Sequence, residues 1–301
     1  MPRREPLPPE FGNRAFTIRD AATAGIPRSR TRAMDLESPY RGVRSPPGPH
    51  DLRTRCTVFA SRMPPHQFFS HTTAANLWGL PVPRRLKADT RLHVTAAMGR
   101  EPRVRGIVGH VTTRPPSVVD MAGLRVESAV DTWCALASIL SIDELVVMGD
   151  ALVRRKSPLA TIEHLKDAAA RRRGGRGAAR LSAALLLIRA GTDSTEETRV
   201  RLLIVRAGLP EPLVNHPIRD LGGGFVALGD LSYPDFRVLV EYDGGHHFES
   251  AQQAMHDVDR VEAIMALRWR VIRVNKTHSD RWITTKVAAA LRDAGWRPNL
   301  H

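Results

Sequence analysis

Gly229-Asp230-Leu231-Ser232-Tyr233-Pro234-Asp235-Phe236-Arg237-Val238-Leu239-Val240-Glu241-Tyr242-Asp243-Gly244-Gly245-His246-His247 is the stretch that decides how the C-terminal part of the chain folds. It reads as two strands joined by a Tyr-Pro-Asp turn. The Val238-Leu239-Val240 run has no polar alternation, which marks a strand buried on both faces. It stops abruptly at Glu241, so its carboxyl end delivers charge to one place. Glu241 and Asp243 are two positions apart and share a strand face. Carboxylates gathered without Lys or Arg between them repel, and a divalent cation is the usual remedy.

Working outward, Ser194 to Pro210 reads as a helix. Ser194 caps it, Glu197 stands three residues on as a capping-box partner, and Gly208 stops it before Pro210. Strands are expected over 213–218, 225–231 and 237–242. A helix over about 252–267, a strand over 268–274 and a last helix over about 284–294 follow. The order is αβββαβ, with acids on the first helix and on the second and third strands.

This segment, from Ser194 to about Val274, resembles the PD-(D/E)XK nuclease superfamily, and within it the very-short-patch repair (Vsr-like) endonucleases. The matching residues are Glu197 in Ser-x-x-Glu-Thr-Arg, Asp230 before the Tyr-Pro turn, Glu241-Tyr242-Asp243-Gly244 with His247, Asp257-x-x-Arg260, and Trp269-Arg270-Val271-Ile272-Arg273. The resemblance implies an α/β (α+β overall) protein with a restriction-endonuclease-like core and metal-dependent hydrolysis of DNA phosphodiesters. Hydrolysis of that bond needs charge neutralisation on the non-bridging oxygens and an activated water. Asp230 and Glu241, with the Tyr242 carbonyl, would hold Mg²⁺ or Mn²⁺, and Glu197 would hold a metal-bound water. Glu197, Asp230, Glu241, Asp243 and His247 are the expected catalytic set, His247 serving as general acid or base. Arg260 is the implied phosphate clamp, with Arg273 as a further nucleic-acid contact.

Two departures stand out. The superfamily's lysine, two positions after the glutamate, is Asp243 here, and an acid cannot stabilise a developing phosphorane. Arg268 stands where a Gly commonly precedes the Trp, in the helix-to-strand turn.

Upstream, residues 1–50 suggest a minimal winged helix-turn-helix. After a Pro-rich lead-in, a short helix capped near Thr17 stops at Gly25, a basic second helix runs through Thr31 to Met34, and a basic strand spans Tyr40 to Arg44. The bland alternative is a small helical cap. Gly25 through Val43 also resembles the N-terminal domain of AbiEi-type antitoxin-like proteins, with Arg44 replacing the usual aromatic. Residues 51–167 read as a small α+β module. Its helix over 69–81 opens with a Ser or Thr cap, strands lie near Leu92–Thr95, 106–112, 118–121 and 124–126, and helices near 128–140 and 142–153. The order of elements resembles the AbiEi-like arrangement and carries no active site. His71, near a helix start with no partner acid or nucleophile, reads as a capping or packing histidine.

Residues 168–191 hold the densest basic run, Arg171, Arg172, Arg173 and Arg176 among glycines, followed by a helix from Ala183 to Ala190. A solvated linker is the simpler expectation, and phosphate contact by these arginines is compatible with it. Residues 192–301 then form the nuclease-like domain.

The 301 residues carry a net charge of +14, with 42% hydrophobic and 25% charged residues. That excess favours a polyanionic partner, most simply DNA, although an anionic membrane surface fits the same number. The two cysteines, Cys56 and Cys134, are in no metal-ligand spacing. Nothing approaches a membrane span of about 18 apolar residues, so a cytoplasmic protein without membrane partners is expected, with a partner protein docking through the N-terminal half. The competing function is a non-catalytic, antitoxin-type DNA-binding regulator with a degenerate nuclease domain. A hydrolase of small phosphorylated molecules fits the charge less well.

Overall fold

The two larger of the three sheets among the described residues, each with helices laid on it, organise the chain, and they belong to separate units, Met1–Ser138 and Ile139–His301. A computed structural model describes residues 6–48, 51–114, 116–244 and 251–298, with side chains throughout except over 251–257. The whole is α+β. Among the described residues no helix is long and apolar enough to cross a membrane.

The first unit opens with α1 (Pro9–Gly12), β1 (Phe16–Thr17), α2 (Ile18–Thr23), a 3-10 turn over Arg30–Arg32, and β2 (Val43–Arg44). Thr17 and Asp20 form a reciprocal capping box on α2. β1 and β2 pair antiparallel around a core of Phe11, Phe16, Ala21 and Ile26. The expected second helix is reduced to that single 3-10 turn. Two of the segment's basic side chains are held internally: Arg30 forks onto Asp35, and Arg44 Nη1 donates to Ser38 Oγ. The turn is therefore a short basic corner and not a helix long enough to lie along a groove.

The rest of the unit is α3 (Leu52–Ala60), β3 (Gln67–Phe69), α4 (His71–Leu77), α5 (Arg84–Lys87), β4 (Leu92–Ala96), β5 (Ile107–Val111), β6 (Val118–Met121), β7 (Leu124–Glu127) and α6 (Ala129–Leu136). The five strands are ordered β5-β4-β3-β7-β6. Strand alternation sends Leu92, Val94 and Ile107 into a core with Phe59, Phe69, Ala74 and Val126. His93 and Thr95 have the opposite parity. The parallel register pairs Thr95 with His110, so His93, Thr95 and His110 share the other face. Gly109, next to His110, has no room for a side chain, because a Cβ there would lie 2.2 Å from the Pro102 carbonyl oxygen.

The second unit runs α7 (Ile142–Leu152), α8 (Ile162–Arg171), α9 (Ala178–Leu187), α10 (Thr195–Arg206), β8 (Leu213–Arg219), β9 (Phe225–Tyr233), a 3-10 turn over Pro234–Phe236, β10 (Val238–Tyr242), α11 (Ala251–Ala266), β11 (Arg270–Val274) and α12 (Asp280–Asp293). The expected αβββαβ order is present and is extended by α12. The sheet order is β11-β10-β9-β8, with β10 and β11 parallel and the other pairs antiparallel. Val238 and Val240 face Val200, Ile204, Val287 and Leu291 of α10 and α12. Leu239 faces Ile264 of α11 on the opposite side. The Val-Leu-Val run is thus buried on both faces. The segment expected as a basic linker is largely helical: α8 ends at Arg171, and α9 starts after a turn holding Arg172, Arg173 and Arg176.

A buried ion pair fixes α10 against α7. Arg201 donates to Asp150 at 2.8 Å, and both side chains are 0% exposed. Thr198 Oγ1 and the Arg189 N–H complete the shell of Asp150, and Glu211 takes the other Arg201 nitrogen. Asp150→Ala is expected to cost about 3–5 kcal/mol in urea unfolding, because it removes the fully buried one of the two carboxylates that pair the Arg201 guanidinium. A second check concerns Arg268, which follows α11 with φ at 62°, a left-handed conformation that glycine adopts cheaply. Arg268→Gly is expected to stabilise the chain by about 1 kcal/mol in the same measurement.

Candidate functional site

Asp230 and Glu241 of the second unit lie just past the end of the β9–β10 ladder. β9 and β10 pair Val238↔Tyr233, Leu239↔Ser232 and Val240↔Leu231, and the pairing stops there. Beyond it the Tyr242 N–H donates to Asp230 Oδ2 at 2.9 Å. A side-chain carboxylate thus stands where a strand carbonyl would otherwise accept. Burial pushes the Asp230 carboxyl up to about 7, the charges of Glu197 and Glu241 push the same way, and the Tyr242 N–H and Arg260 oppose them. Asp230, Glu241 and Glu197 are therefore electrostatic neighbours, drawn from a strand, the adjacent strand and a helix.

Glu197 is buried at the start of α10. Ser194 Oγ caps its N–H, while its own Oε2 accepts from the Asp193 N–H at 3.0 Å and from Asn215 Nδ2 at 3.2 Å. The expected capping box is displaced by one residue, since the carboxylate takes the Asp193 N–H and not that of Ser194. Burial raises the Glu197 carboxyl above its ordinary range, and these donors work against the rise. Asn215 stands in β8 with φ at 46°, a left-handed residue where the strand is irregular.

Glu241 is buried and is gripped by Arg260 of α11 through two nitrogens, at 2.8 and 3.3 Å. The arginine expected to clamp phosphate is thus spent on the carboxylate expected to bind metal. Asp243 is exposed, one residue past the end of β10, and its N–H donates to the Val274 carbonyl at 2.7 Å. Tyr242 touches Asp230 through its N–H. His247 lies outside the described residues, as does the side chain of Asp257. Arg273 is exposed on β11, at the register position opposite Glu241. Arg171, Arg173 and Arg176 are exposed and Arg172 is half-buried, all at the turn between α8 and α9.

A second polar cluster, in the first unit, went unread in the sequence. His71, His93 and His110 each place a ring nitrogen within 4.8 Å of the others, the one such grouping of potential metal ligands among the described residues. His71 and His110 are stacked, with centroids 3.8 Å apart and planes at 11°. His93 Nδ1 lies 3.0 Å from His110 Nε2. Burial, reinforced by His110, lowers His93 to about 4, and burial lowers His110 as well. His71 is not the lone capping histidine that its position in the sequence suggests. The available signal was strand parity, which puts His93 on the polar face of β4; the parallel β4–β5 register that adds His110 has no mark in the sequence.

No family model matches the chain, and no solved structure does. It is similar to two uncharacterized proteins of Mycobacterium tuberculosis, from strains CDC 1551 / Oshkosh and H37Rv, each 26% identical over 133 residues. The match covers 40% of this chain and 49% of each relative, so the chain spans about half the length of the relatives it matches.

The Asp230 shift has a measurable sign. A folded-state pKa near 7, above the ordinary carboxyl value of 3.8, means that the folded protein holds a proton that the unfolded chain has lost between those values. The contribution of Asp230 to stability is full below about pH 4 and falls as pH rises towards 7. In chelator-containing buffer, Asp230→Asn should therefore gain stability relative to wild type as pH rises from about 4 to 7, at up to about 1.4 kcal/mol per pH unit, with the difference levelling off above 7. Parallel urea curves with a constant offset across that range would show that Asp230 is not perturbed.

Proposed function

We propose that the Ile139–His301 unit is a metal-dependent endonuclease or nickase that hydrolyses DNA phosphodiester bonds. The observation that carries this reading is the burial of Asp230, held at 2.9 Å by the Tyr242 N–H at the end of a buried strand, with Glu241 and Glu197 adding to the rise in its proton affinity that burial causes. An αβββαβ element order with acids on these three elements is what a restriction-endonuclease-like core of the Vsr-like kind would supply.

The donor set fits a hard dication, Mg²⁺ or Mn²⁺, because every ligand on offer is an oxygen. Asp230 and Glu241 would hold it, with the Tyr242 carbonyl as a third donor. When bound, such an ion neutralises phosphate charge and acidifies a coordinated water. The protein's own groups do the rest. Glu197, whose Oε2 is held by the Asp193 N–H and Asn215, would accept a hydrogen bond from a metal-bound water. Arg260 is within reach of a phosphate if one of its two bonds to Glu241 is exchanged for a phosphate oxygen, a bidentate geometry it suits equally. His247 remains the proposed general acid or base, and Arg273 with the α8–α9 turn arginines would follow the DNA backbone. The net charge of +14 supports a polyanionic substrate.

One observation favours the second reading, a DNA-binding regulator of antitoxin type that does not cleave. The Arg260 fork already neutralises Glu241 without any ion, and Asp243 stands in place of the superfamily lysine. The two readings separate in one assay. Supercoiled plasmid, linear duplex and mismatched duplex are incubated with Mg²⁺ or Mn²⁺ and wild-type, Asp230→Ala or Glu241→Ala protein. A nuclease nicks at least one substrate only with metal, and each variant loses about 10²-fold or more of the rate. Salt-sensitive binding without cleavage on every substrate, unchanged by either substitution, would sink the nuclease and leave the regulator.

A further inference from the structure

We propose that His71, His93 and His110 form a binding site for a transition-metal dication of the Zn²⁺ class, in the Met1–Ser138 unit and independent of the acids around Asp230. One ring nitrogen from each residue lies within 4.8 Å of the other two. His93 Nδ1 and His110 Nε2 are 3.0 Å apart. Two nitrogens on a tetrahedral Zn²⁺, with bonds of about 2.0 Å, stand about 3.3 Å from each other, so this edge of the site is close to ligand spacing already. A set of imidazoles selects Zn²⁺ or its late first-row neighbours over Mg²⁺ or Ca²⁺, which prefer oxygen. Three protein ligands leave the fourth position to water or a substrate atom, the arrangement of zinc sites that do chemistry and not of those that only brace a fold.

The framework around the rings is rigid. His93 and His110 sit on adjacent parallel strands, pointing to one face. The Pro102 backbone packs closely over Gly109, next to His110, leaving no room for a side chain there. His71 is held with φ at 50°, in the left-handed region, a conformation that a helix-capping residue does not need and that side-chain-bearing residues adopt at a cost. Its N–H is taken by Glu127 at 3.3 Å. Its Nδ1 lies 3.0 Å from the Oγ of Ser70, which is fully buried and accepts from Thr95 Oγ1 at 2.7 Å. A hydroxyl on Nδ1 is the kind of outer partner that fixes a ligating ring and would leave Nε2 for the ion. All three rings are half-buried, so the cluster is within reach of solvent.

Ligation makes one structural demand. Lone pairs lie in the ring planes, so the rings of His71 and His110, now near-parallel, must turn out of their stack to converge on one point. The alternative occupant of this geometry is no ion at all: a stacked trio joined by the His93–His110 hydrogen bond.

The test uses the full chain, stripped with chelator and titrated with Co²⁺, whose visible absorption reports four-coordinate nitrogen ligation, followed by competition with Zn²⁺. Wild type should bind one Co²⁺ with that spectrum and release it to one Zn²⁺. His93→Gln and His110→Gln should abolish the spectrum, and Ser70→Ala should weaken binding by about tenfold. His164→Gln, on α8 of the other unit, should leave it intact. Binding that survives loss of the histidines, or no binding by wild type at about 100-fold excess of metal, overturns the proposal in favour of the stacked trio. Should the histidine variants fail to fold, X-ray absorption on Zn²⁺-loaded wild type decides: imidazole scattering from three ligands supports the site, and its absence sinks it.

Discussion

The second unit depends on one strand that changes character within a single residue. From Val238 to Val240 it is covered on both faces, by α10 and α12 on one side and α11 on the other. Each of these side chains contributes roughly 1.5–3 kcal/mol by leaving water, which is enough to hold the strand at the sheet centre. Glu241 continues into the same dry environment, at 7% side-chain exposure. Position is therefore dictated by the apolar run, and the carboxylate is buried as a consequence. Every polar feature nearby answers that burial. Arg260 forks onto Glu241, Asp230 accepts the Tyr242 N–H, and Glu197 is satisfied by Asp193 and Asn215.

How much of this was legible in the sequence follows from the range of each interaction. The helix starts at Thr17, Ser128 and Ser194 are legible because each side chain accepts a hydrogen bond from the residue three further on. The order of elements in the second unit was readable from apolar periodicity and from stops at Gly208 and in the Tyr-Pro-Asp turn. The pairing of Arg260 with Glu241, nineteen residues apart, was not. Arg260 reads equally well as a phosphate clamp, and only the placement of α11 over the end of β10 turns it inward. β3 was missed because three residues carry no usable periodicity. The 3-10 turn at Arg30–Arg32 was overread as a helix, since a basic run of that length can be satisfied by local ion pairing with Asp35.

The histidine cluster shows the same limit more sharply. His71, His93 and His110 lie in three elements, and no pair shares a helical or local strand spacing. Their meeting depends on the parallel register of β4 against β5 and on the left-handed backbone at His71. Parallel strands are joined by long crossovers whose register the local sequence does not encode. A sequence can therefore reveal that His93 faces away from the apolar core, and still hide what it faces.

Two desolvated acids of the second unit, Asp150 and Asp230, are answered by opposite means, and the contrast bears on the chemistry at Asp230. Asp150 is fully buried and fully answered: Arg201, Thr198 and the Arg189 N–H supply its donors, and the ensemble ties α7 to α10. Asp230 has one close donor, the Tyr242 N–H, and two acidic neighbours. If folding alone governed that position, a neutral side chain would serve better, since burying a carboxylate with so little compensation works against stability. Arg260 softens the conflict at Glu241 but does not reach the same balance at Asp230, whose proton affinity stays high with the guanidinium in place. A cation entering between the two strands would remove the conflict and would compete with Arg260 for Glu241. On the proposed nuclease reading the guanidinium and the ion would be alternative partners of one carboxylate, and displacement of the first by the second would free an arginine for a phosphate oxygen.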